Sequence, residues 1–179
     1  MSGEFMASGD TTEQILLARA QALAQIEQNE EAETSIEIVA FLLANESYGI
    51  ETAYVREVSP LQELTRLPGT PPFVAGIINL RGEIVSVIDI KTFFGLPEKG
   101  LTDLNKVIVI SNGLMEFGIL ADAIVDVKRI PIRHIQPPLA TLTGIREDFL
   151  QGISANRLAI LHAANLLNYP GIIVNEEVI

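Results

Sequence analysis

The sequence lacks cysteine and tryptophan, and only two of its 179 residues are histidine. Without cysteine the chain can form neither disulfide bonds nor thiolate metal sites. His134 and His162 lie in unrelated contexts, so each is expected to have a structural role. The phosphate-binding loop and nucleophile elbow that mark many nucleotide-binding proteins and hydrolases are also missing. We therefore predict no catalytic residue, no metal and no cofactor.

Basic residues are also scarce, because 12 lysines and arginines stand against 23 aspartates and glutamates, for a net charge of −11. Such a charge repels phosphate backbones and anionic membranes, and no cluster of lysine and arginine stands out. No apolar run approaches the roughly 20 residues that cross a bilayer. We expect no nucleic-acid partner and no membrane insertion, and the absence of cysteine is compatible with a reducing, cytoplasmic setting.

The N-terminal region differs from the rest of the chain. Residues 1–10 are small and polar and are predicted to be disordered, and residues 1–5 look like an expression scar. An amphipathic helix is predicted from Thr11, with Thr11 and Gln14 as a capping box, to about Glu33. This helix either docks on the chain's own body or serves as a partner-binding or self-associating helix.

From Ser35 onward, apolar runs alternate with Pro and Gly turn signals, which is typical of small β-barrels or a sandwich. Asp89 follows one buried run and is predicted to cap a helix. Strands are predicted at 36–43 and 48–50, on both sides of the turn in 73–90, and at 106–111, 115–120, 123–130, 150–153 and 157–161, with a short helix at 162–168.

One tight turn, Arg81-Gly82, separates the two strands of the segment 73–90. Glycine adopts a positive φ without steric cost and so favours such a turn. The turn lifts one guanidinium out of an apolar sheet, where it can meet a partner or pair with a nearby carboxylate. It carries no nucleophile, base or metal ligand, which favours binding over catalysis.

The strand region also repeats itself. The segment 48–58 (YGIETAYVREV) recurs as 117–127 (FGILADAIVDV), and 85–94 (VSVIDIKTFF) is answered by 158–167 (LAILHAANLL). Two matches in the same order at similar separations favour a duplicated β unit. The sequence therefore predicts two like subdomains with a crevice between them.

With these residues the chain resembles the chemotaxis coupling protein family, whose unit is the CheW-like domain. The most specific part is the segment 65–73 (TRLPGTPPF), followed by 79–82 (NLRG) and 87–89 (VID). The resemblance implies an all-β fold of two packed SH3-like five-stranded barrels, with an N-terminal helix and a short C-terminal helix. It places a disordered leader and helix at 1–34, the CheW-like domain at 35–169 and a tail at 170–179.

The family is non-enzymatic and bridges the cytoplasmic helical tip of a chemoreceptor and the regulatory domain of a histidine kinase, which shares the fold. Carried over by position, the receptor-binding groove between the barrels comprises Val55, Glu57, Ile77, Asn79 and Arg81. Arg81 is expected to form an ion pair or hydrogen bond with Glu57. Breaking a partly buried pair would cost roughly 3–5 kcal/mol, and breaking an exposed one about 0–1 kcal/mol.

Three alternatives remain open at this stage. The chain could be a regulatory CheW-like module that antagonises or redirects a kinase, for example to control pili. It could be a small hydrolase with a site in the crevice, although no cluster of titratable residues supports one. Small barrels also bind single-stranded nucleic acid, but they do so through basic grooves and stacked aromatic residues.

Overall fold

The computed structural model describes residues 7–98, 100–102, 104–138 and 145–172. The chain divides into two compact units, Met1–Ser35 and Ile36–Ile179. Among the described residues, no helix is long and apolar enough to cross a membrane.

The first unit contains one helix, α1, which runs over Ala7–Glu33. The predicted start at Thr11 is wrong, because the helix begins one turn earlier and Thr11 lies inside it. Extending a nucleated helix costs little, so residues 7–10 continue it rather than remain disordered. Residues 1–6, which include the suspected expression scar, lie outside the described part. The side chains of 11–26 are exposed, and both hypotheses for this helix stay predictions.

The second unit is built mainly of strands. Its elements within the described residues are β1 (Ser35–Leu43), β2 (Glu46–Glu51), a 3-10 turn η1 (Thr52–Tyr54), β3 (Val55–Pro60), β4 (Val74–Leu80), β5 (Glu83–Ile88), α2 (Ile90–Phe94), β6 (Lys106–Ser111), β7 (Glu116–Ala121), β8 (Ala123–Pro131), a 3-10 turn η2 (Ile132–His134), β9 (Ile135–Gln136), α3 (Ile145–Phe149), β10 (Leu150–Ser154), β11 (Ala159–Leu161) and α4 (Ala163–Asn168).

These strands form two sheets, and each sheet contains strands from both the first and the second half of the unit. One sheet has six strands in the order β8-β1-β2-β11-β10-β9, and the other has five in the order β3-β6-β7-β5-β4. The hairpin β1–β2 thus joins strands from the second half of the unit, and the hairpin β6–β7 joins strands from the first half. Because each sheet needs both halves, neither half forms a complete sheet alone.

The register of the sheets agrees with the duplication predicted from the sequence. The parallel pair β2–β11 sets Gly49 opposite Ile160, and the parallel pair β5–β7 sets Gly118 opposite Val87. These residues hold matching positions in the repeated segments. An added Cβ would collide with a neighbouring side chain at Gly49 and at Gly118, which explains why glycine occurs at both.

A single stretch of chain joins the two edges of each sheet. In the six-stranded sheet, β8 and β9 are the outer strands and are separated only by η2. In the five-stranded sheet, the chain leaves β3 and reaches Thr65, which pairs with Ile77 of β4 through two backbone hydrogen bonds of 2.8 and 2.9 Å. This is the SH3-like arrangement that the family resemblance implies. One sheet has six strands rather than five because η2 divides its closing stretch.

Successive buried side chains of a strand point alternately into two hydrophobic clusters, one inside a single sheet and one shared by both sheets. In β6, Val107 and Val109 face a cluster inside the five-stranded sheet, while Ile108 and Ile110 join a larger cluster shared with the six-stranded sheet. All four are 0% exposed, so the strand is buried on both faces. This explains the continuous apolar run in β6, since a half-exposed strand would alternate apolar with polar residues. The shared cluster packs the two sheets together.

Two of the short helices, α2 and α4, begin where the sequence predicts, whereas α3 was not predicted. Asp89 caps α2, because its Oδ1 accepts a hydrogen bond from the backbone N–H of Lys91 at 3.0 Å. His162 caps α4 at the matching place in the second repeat, where its Nδ1 accepts from the backbone N–H of Asn165 at 3.2 Å. The structural role predicted for His162 is thereby confirmed.

A buried ion pair connects the two sheets. Lys91 of α2 is 2% exposed, and its Nζ lies 2.5 Å from Oδ1 of Asp122. The other carboxylate oxygen of Asp122 accepts the backbone N–H of Ala44 at 2.8 Å, in the turn between β1 and β2. Asp122 therefore ties a turn of the six-stranded sheet to the helix that follows the five-stranded sheet. The sequence patterns did not predict this contact.

Candidate functional site

Arg81 lies at the tip of the β4–β5 hairpin. Leu80 and Glu83 close the hairpin, and the two residues between them have positive φ, 53° for Arg81 and 89° for Gly82. Positive φ at both central residues defines the turn whose twist matches that of the flanking strands. The Arg81 side chain is 82% exposed. The hairpin therefore presents the guanidinium to solvent, as predicted.

Asn79 supports this turn. Its Oδ1 accepts a hydrogen bond of 2.8 Å from the backbone N–H of Gly82. An Asx-type contact of this kind stabilises a tight turn locally. Asn79 thus holds the hairpin that presents Arg81.

Glu57 of β3 pairs with Arg81 across the gap between the outer strands. Its Oε1 lies 3.5 Å from Nη2 of Arg81, and its side chain is 18% exposed. The expected ion pair is present, although its separation exceeds that of a strong charge-assisted hydrogen bond. Because Arg81 is mostly in solvent, we assign the pair the smaller of the two expected energies, about 0–1 kcal/mol. The guanidinium can therefore exchange this partner at little cost.

Val55 and Ile77 provide half-buried apolar surface on the same two strands. Val55, at the start of β3, also packs against the core shared by the sheets. All five predicted residues thus belong to β3, to β4 or to the turn after β4. The expected groove between two barrels stays a prediction, and the structure places its five residues on the outer strands of one sheet and the turn after β4, where Val55 borders the shared core.

A cavity of about 490 Å³ extends this surface beyond the five residues. Ile77 and Asn79 line it together with Gln62, Glu63 and Thr65 of the closing stretch. These three residues were not predicted, because they belong to an irregular segment with no periodicity. The sequence feature that could have indicated them is the family motif, which begins at Thr65. In the structure Thr65 is the residue that pairs with β4 and closes the sheet.

A different charge cluster covers one end of the five-stranded sheet. One guanidinium nitrogen of Arg56 donates to Glu83 at 2.8 Å and to Glu116 at 2.7 Å. The hydrogen bonds and charge of Glu83 and Glu116 raise the pKa of Arg56 above its ordinary value. This cluster links β3, β5 and β7 and was missed from the sequence, because its members are distant along the chain.

The equivalent end of the six-stranded sheet is open and mostly apolar. A cavity of about 650 Å³ lies there, with Tyr48, Phe94, Leu150 and Ile153 among its lining residues. Val125 holds the place in the repeat that Arg56 holds in the other sheet, and it is 51% exposed. The two sheet ends therefore differ, since one is covered by an ion cluster and the other has a cavity lined by buried apolar side chains together with polar ones such as Glu46 and Arg157.

The structure also corrects the expectation that the chain has no basic cluster. Lys128 and Arg129 of β8 and His134 of η2 line one groove of about 390 Å³. Arg133 follows in the same segment, so three of the 12 lysines and arginines fall within 128–133. The cluster was not recognised in the sequence because apolar residues separate Arg129 from Arg133 and because the net charge of the chain is negative.

Comparison with known proteins decides the family. The CheW-like domain family matches residues 37–171. The chain belongs to the CheW-like domain family. It is 33% identical over 127 residues to the chemotaxis protein CheW of Klebsiella aerogenes, covering 70% of this chain and 76% of that protein. It is 34% identical over 118 residues to CheW of Bacillus subtilis, covering 66% and 74%.

A solved structure supports the same assignment. The scaffolding protein TtCheW from Thermoanaerobacter tengcongensis superposes with a TM-score of 0.64 at 35% identity, covering 70% of this chain and 83% of that one. The predicted family and its two-sheet fold are confirmed. The main functional hypothesis, a CheW-like coupling protein of the chemotaxis type, is also confirmed over the antagonist and hydrolase alternatives.

Proposed function

We propose that this protein is a non-enzymatic adaptor that couples the cytoplasmic tip of a chemoreceptor to the regulatory domain of a histidine kinase. The observation that carries the proposal is the Arg81 guanidinium, held in solvent on a turn of positive φ beside Glu57. A non-glycine residue at positive φ costs roughly 1–2 kcal/mol. Glycine at that position would form the same turn without this cost. The strained backbone therefore indicates that the arginine side chain itself has a role.

The receptor tip would lie across the outer strands of the five-stranded sheet. A helix that docks in a groove uses apolar anchors on one face and polar contacts at the rim. Val55 and Ile77 supply the apolar floor, and Glu57 and Arg81 supply one charge of each sign. The cavity beside Ile77 has room for an apolar side chain of the receptor helix, with Glu63 at its edge.

The kinase would contact the open end of the six-stranded sheet. Resemblance to the family implies that the related kinase domain meets barrel ends, and the two ends of this protein differ. One is closed by the Arg56 cluster with Glu83 and Glu116. The other has the apolar cavity around Tyr48 and Phe94, where a barrel of similar build can bury apolar surface.

The location follows from the partners. Receptor tips and their kinases lie on the inner face of the cell membrane, so the adaptor would work in the cytoplasm at receptor arrays. The net charge of −11 favours attachment through protein contacts over direct binding to anionic lipid.

The test is binding of a helical-hairpin receptor tip to Arg81→Asp. Charge reversal places two carboxylates together at the groove edge, so we expect receptor binding to be lost while binding to the kinase domain persists. Arg66→Asp is the matched control, because Arg66 is also an exposed arginine of the five-stranded sheet region. Receptor binding by Arg81→Asp at the wild-type level would remove the role given to Arg81.

A further inference from the structure

The duplication gives the protein a second groove, on the six-stranded sheet. Ser154 pairs with Leu158 as Ile78 pairs with Val85, so the β10–β11 hairpin matches the β4–β5 hairpin. The groove of about 390 Å³ lies between this hairpin and the end of β8 with η2. It therefore corresponds to the cavity beside Ile77 on the other sheet.

The residues that line the two grooves differ in charge, although the exposed guanidinium of Arg81 stands at the edge of the first groove. The groove on the five-stranded sheet has Glu63 in its lining, with Glu57 nearby on β3. The groove on the six-stranded sheet is lined by Lys128, Arg129 and His134, with the polar side chain of Asn156 on the hairpin. On a protein with a net charge of −11, this is a local reversal of sign.

The cations of the second groove keep most of their hydrogen-bonding capacity. Lys128 lies 3.8 Å from Asp126, and Arg129 lies 3.8 Å from Glu37. Both separations exceed hydrogen-bond length, so these are loose ion pairs. The side chains of Lys128 and Arg129 are 45% and 64% exposed. Arg56, by contrast, donates two short hydrogen bonds to its carboxylates.

We propose that this second groove binds an acidic segment of a partner protein, whose carboxylates accept hydrogen bonds from Lys128 and Arg129. Charge-assisted pairs of this type are about twice as strong as neutral hydrogen bonds. The half-buried Ile130 also lines the groove, so the segment combines acidic with apolar side chains. A nucleic acid or an anionic membrane is disfavoured, because an extended polyanion also meets the negative remainder of the surface.

The experiment follows backbone amide shifts by NMR while the full-length protein is titrated with a short oligoglutamate peptide at low salt. We expect shifts at 128–134 and 154–158. The double variant Lys128→Ala/Arg129→Ala should weaken binding about tenfold, since two exposed charge contacts are removed. Arg66→Ala is the control and should bind as the wild type does. Both Lys128 and Arg129 are exposed, and circular dichroism checks that the fold is retained.

Three results would overturn the proposal. One is a set of shifts that lies elsewhere or does not saturate, and another is equal weakening in Arg66→Ala and the double variant. The third is tighter binding of a short oligothymidylate, or of phosphatidylglycerol vesicles, than of the peptide. Because the groove is on the other sheet from Arg81, none of these results bears on receptor docking.

Discussion

Gly76 and Gly152 hold the same place in the two sheets, each against a backbone carbonyl of the stretch that closes its sheet. A Cβ at Gly76 would collide with the carbonyl of Thr65, and one at Gly152 would meet the carbonyl of Gln136 at 2.6 Å. Both glycines also follow an irregularity in strand pairing. The closures of the duplicated sheets therefore depend on the absence of a side chain.

Gly76→Ala should open the closure of the five-stranded sheet. Gly76 has a φ of 150°, so alanine adds backbone strain to the collision with Thr65. We expect the free energy of unfolding to fall by about 2–4 kcal/mol in urea titrations. Gly113→Ala is the control, because Gly113 has a φ of 88° but open space around it, and should cost about 1 kcal/mol. Equal losses in the two variants would show that the collision is relieved without cost.

Asp122→Ala should destabilise the protein strongly. It leaves the buried ammonium of Lys91 and the N–H of Ala44 without their carboxylate. Removing one partner of a buried pair costs roughly 3–5 kcal/mol, measured by urea denaturation. The double variant Lys91→Met/Asp122→Ala should recover part of that loss, since no buried charge remains unpaired. A loss below about 1 kcal/mol for Asp122→Ala would mean that water replaces the carboxylate.

Arg81→Gly should separate stability from function. Glycine relieves the positive φ of 53°, so thermal unfolding should show a free energy unchanged or raised by up to about 1 kcal/mol. Binding of the receptor tip should weaken, because the guanidinium is gone. Arg157→Gly is the control, since Arg157 has a φ of 59° in the hairpin of the other sheet. Arg157→Gly should change the free energy of unfolding by about the same amount as Arg81→Gly and leave receptor binding unaltered. Receptor binding weakened equally by both variants would contradict the assignment.

Ser47→Arg should block the kinase domain. Ser47 lies in the lining of the open cavity at the end of the six-stranded sheet and is half-buried. A long charged side chain there obstructs the cavity. We therefore expect the variant to lose binding of the kinase regulatory domain, as measured by calorimetry. Receptor binding should persist. Asn168→Arg adds the same charge at an exposed position at the end of α4, and unchanged kinase binding is expected. Kinase binding by Ser47→Arg at the wild-type level would reassign the contact.

The sequence predicted elements whose signal is local. Strand β6 was predicted with its observed bounds because its apolar run is bordered by turn residues, and the Arg81-Gly82 turn and the Asp89 cap each depend on adjacent residues. Contacts between distant residues were not predictable in this way. The Arg56 cluster joins three strands, and the pair of Lys91 with Asp122 joins two sheets.

The duplication explains why some long-range structure was nevertheless predictable. Repeated segments must form repeated elements, so two like sheets followed from one repeat. What the repeat could not reveal is the exchange of strands between the halves, which depends on packing and not on local pattern.

Coupling itself is tested most directly by reconstituting the histidine kinase with receptor and this protein and measuring kinase autophosphorylation. The adaptor account predicts that adding the protein raises phosphorylation and makes it respond to receptor ligand, and that Arg81→Asp removes this rise. Phosphorylation that falls on adding the protein, or that Arg81→Asp supports as well as the wild type, would contradict the account.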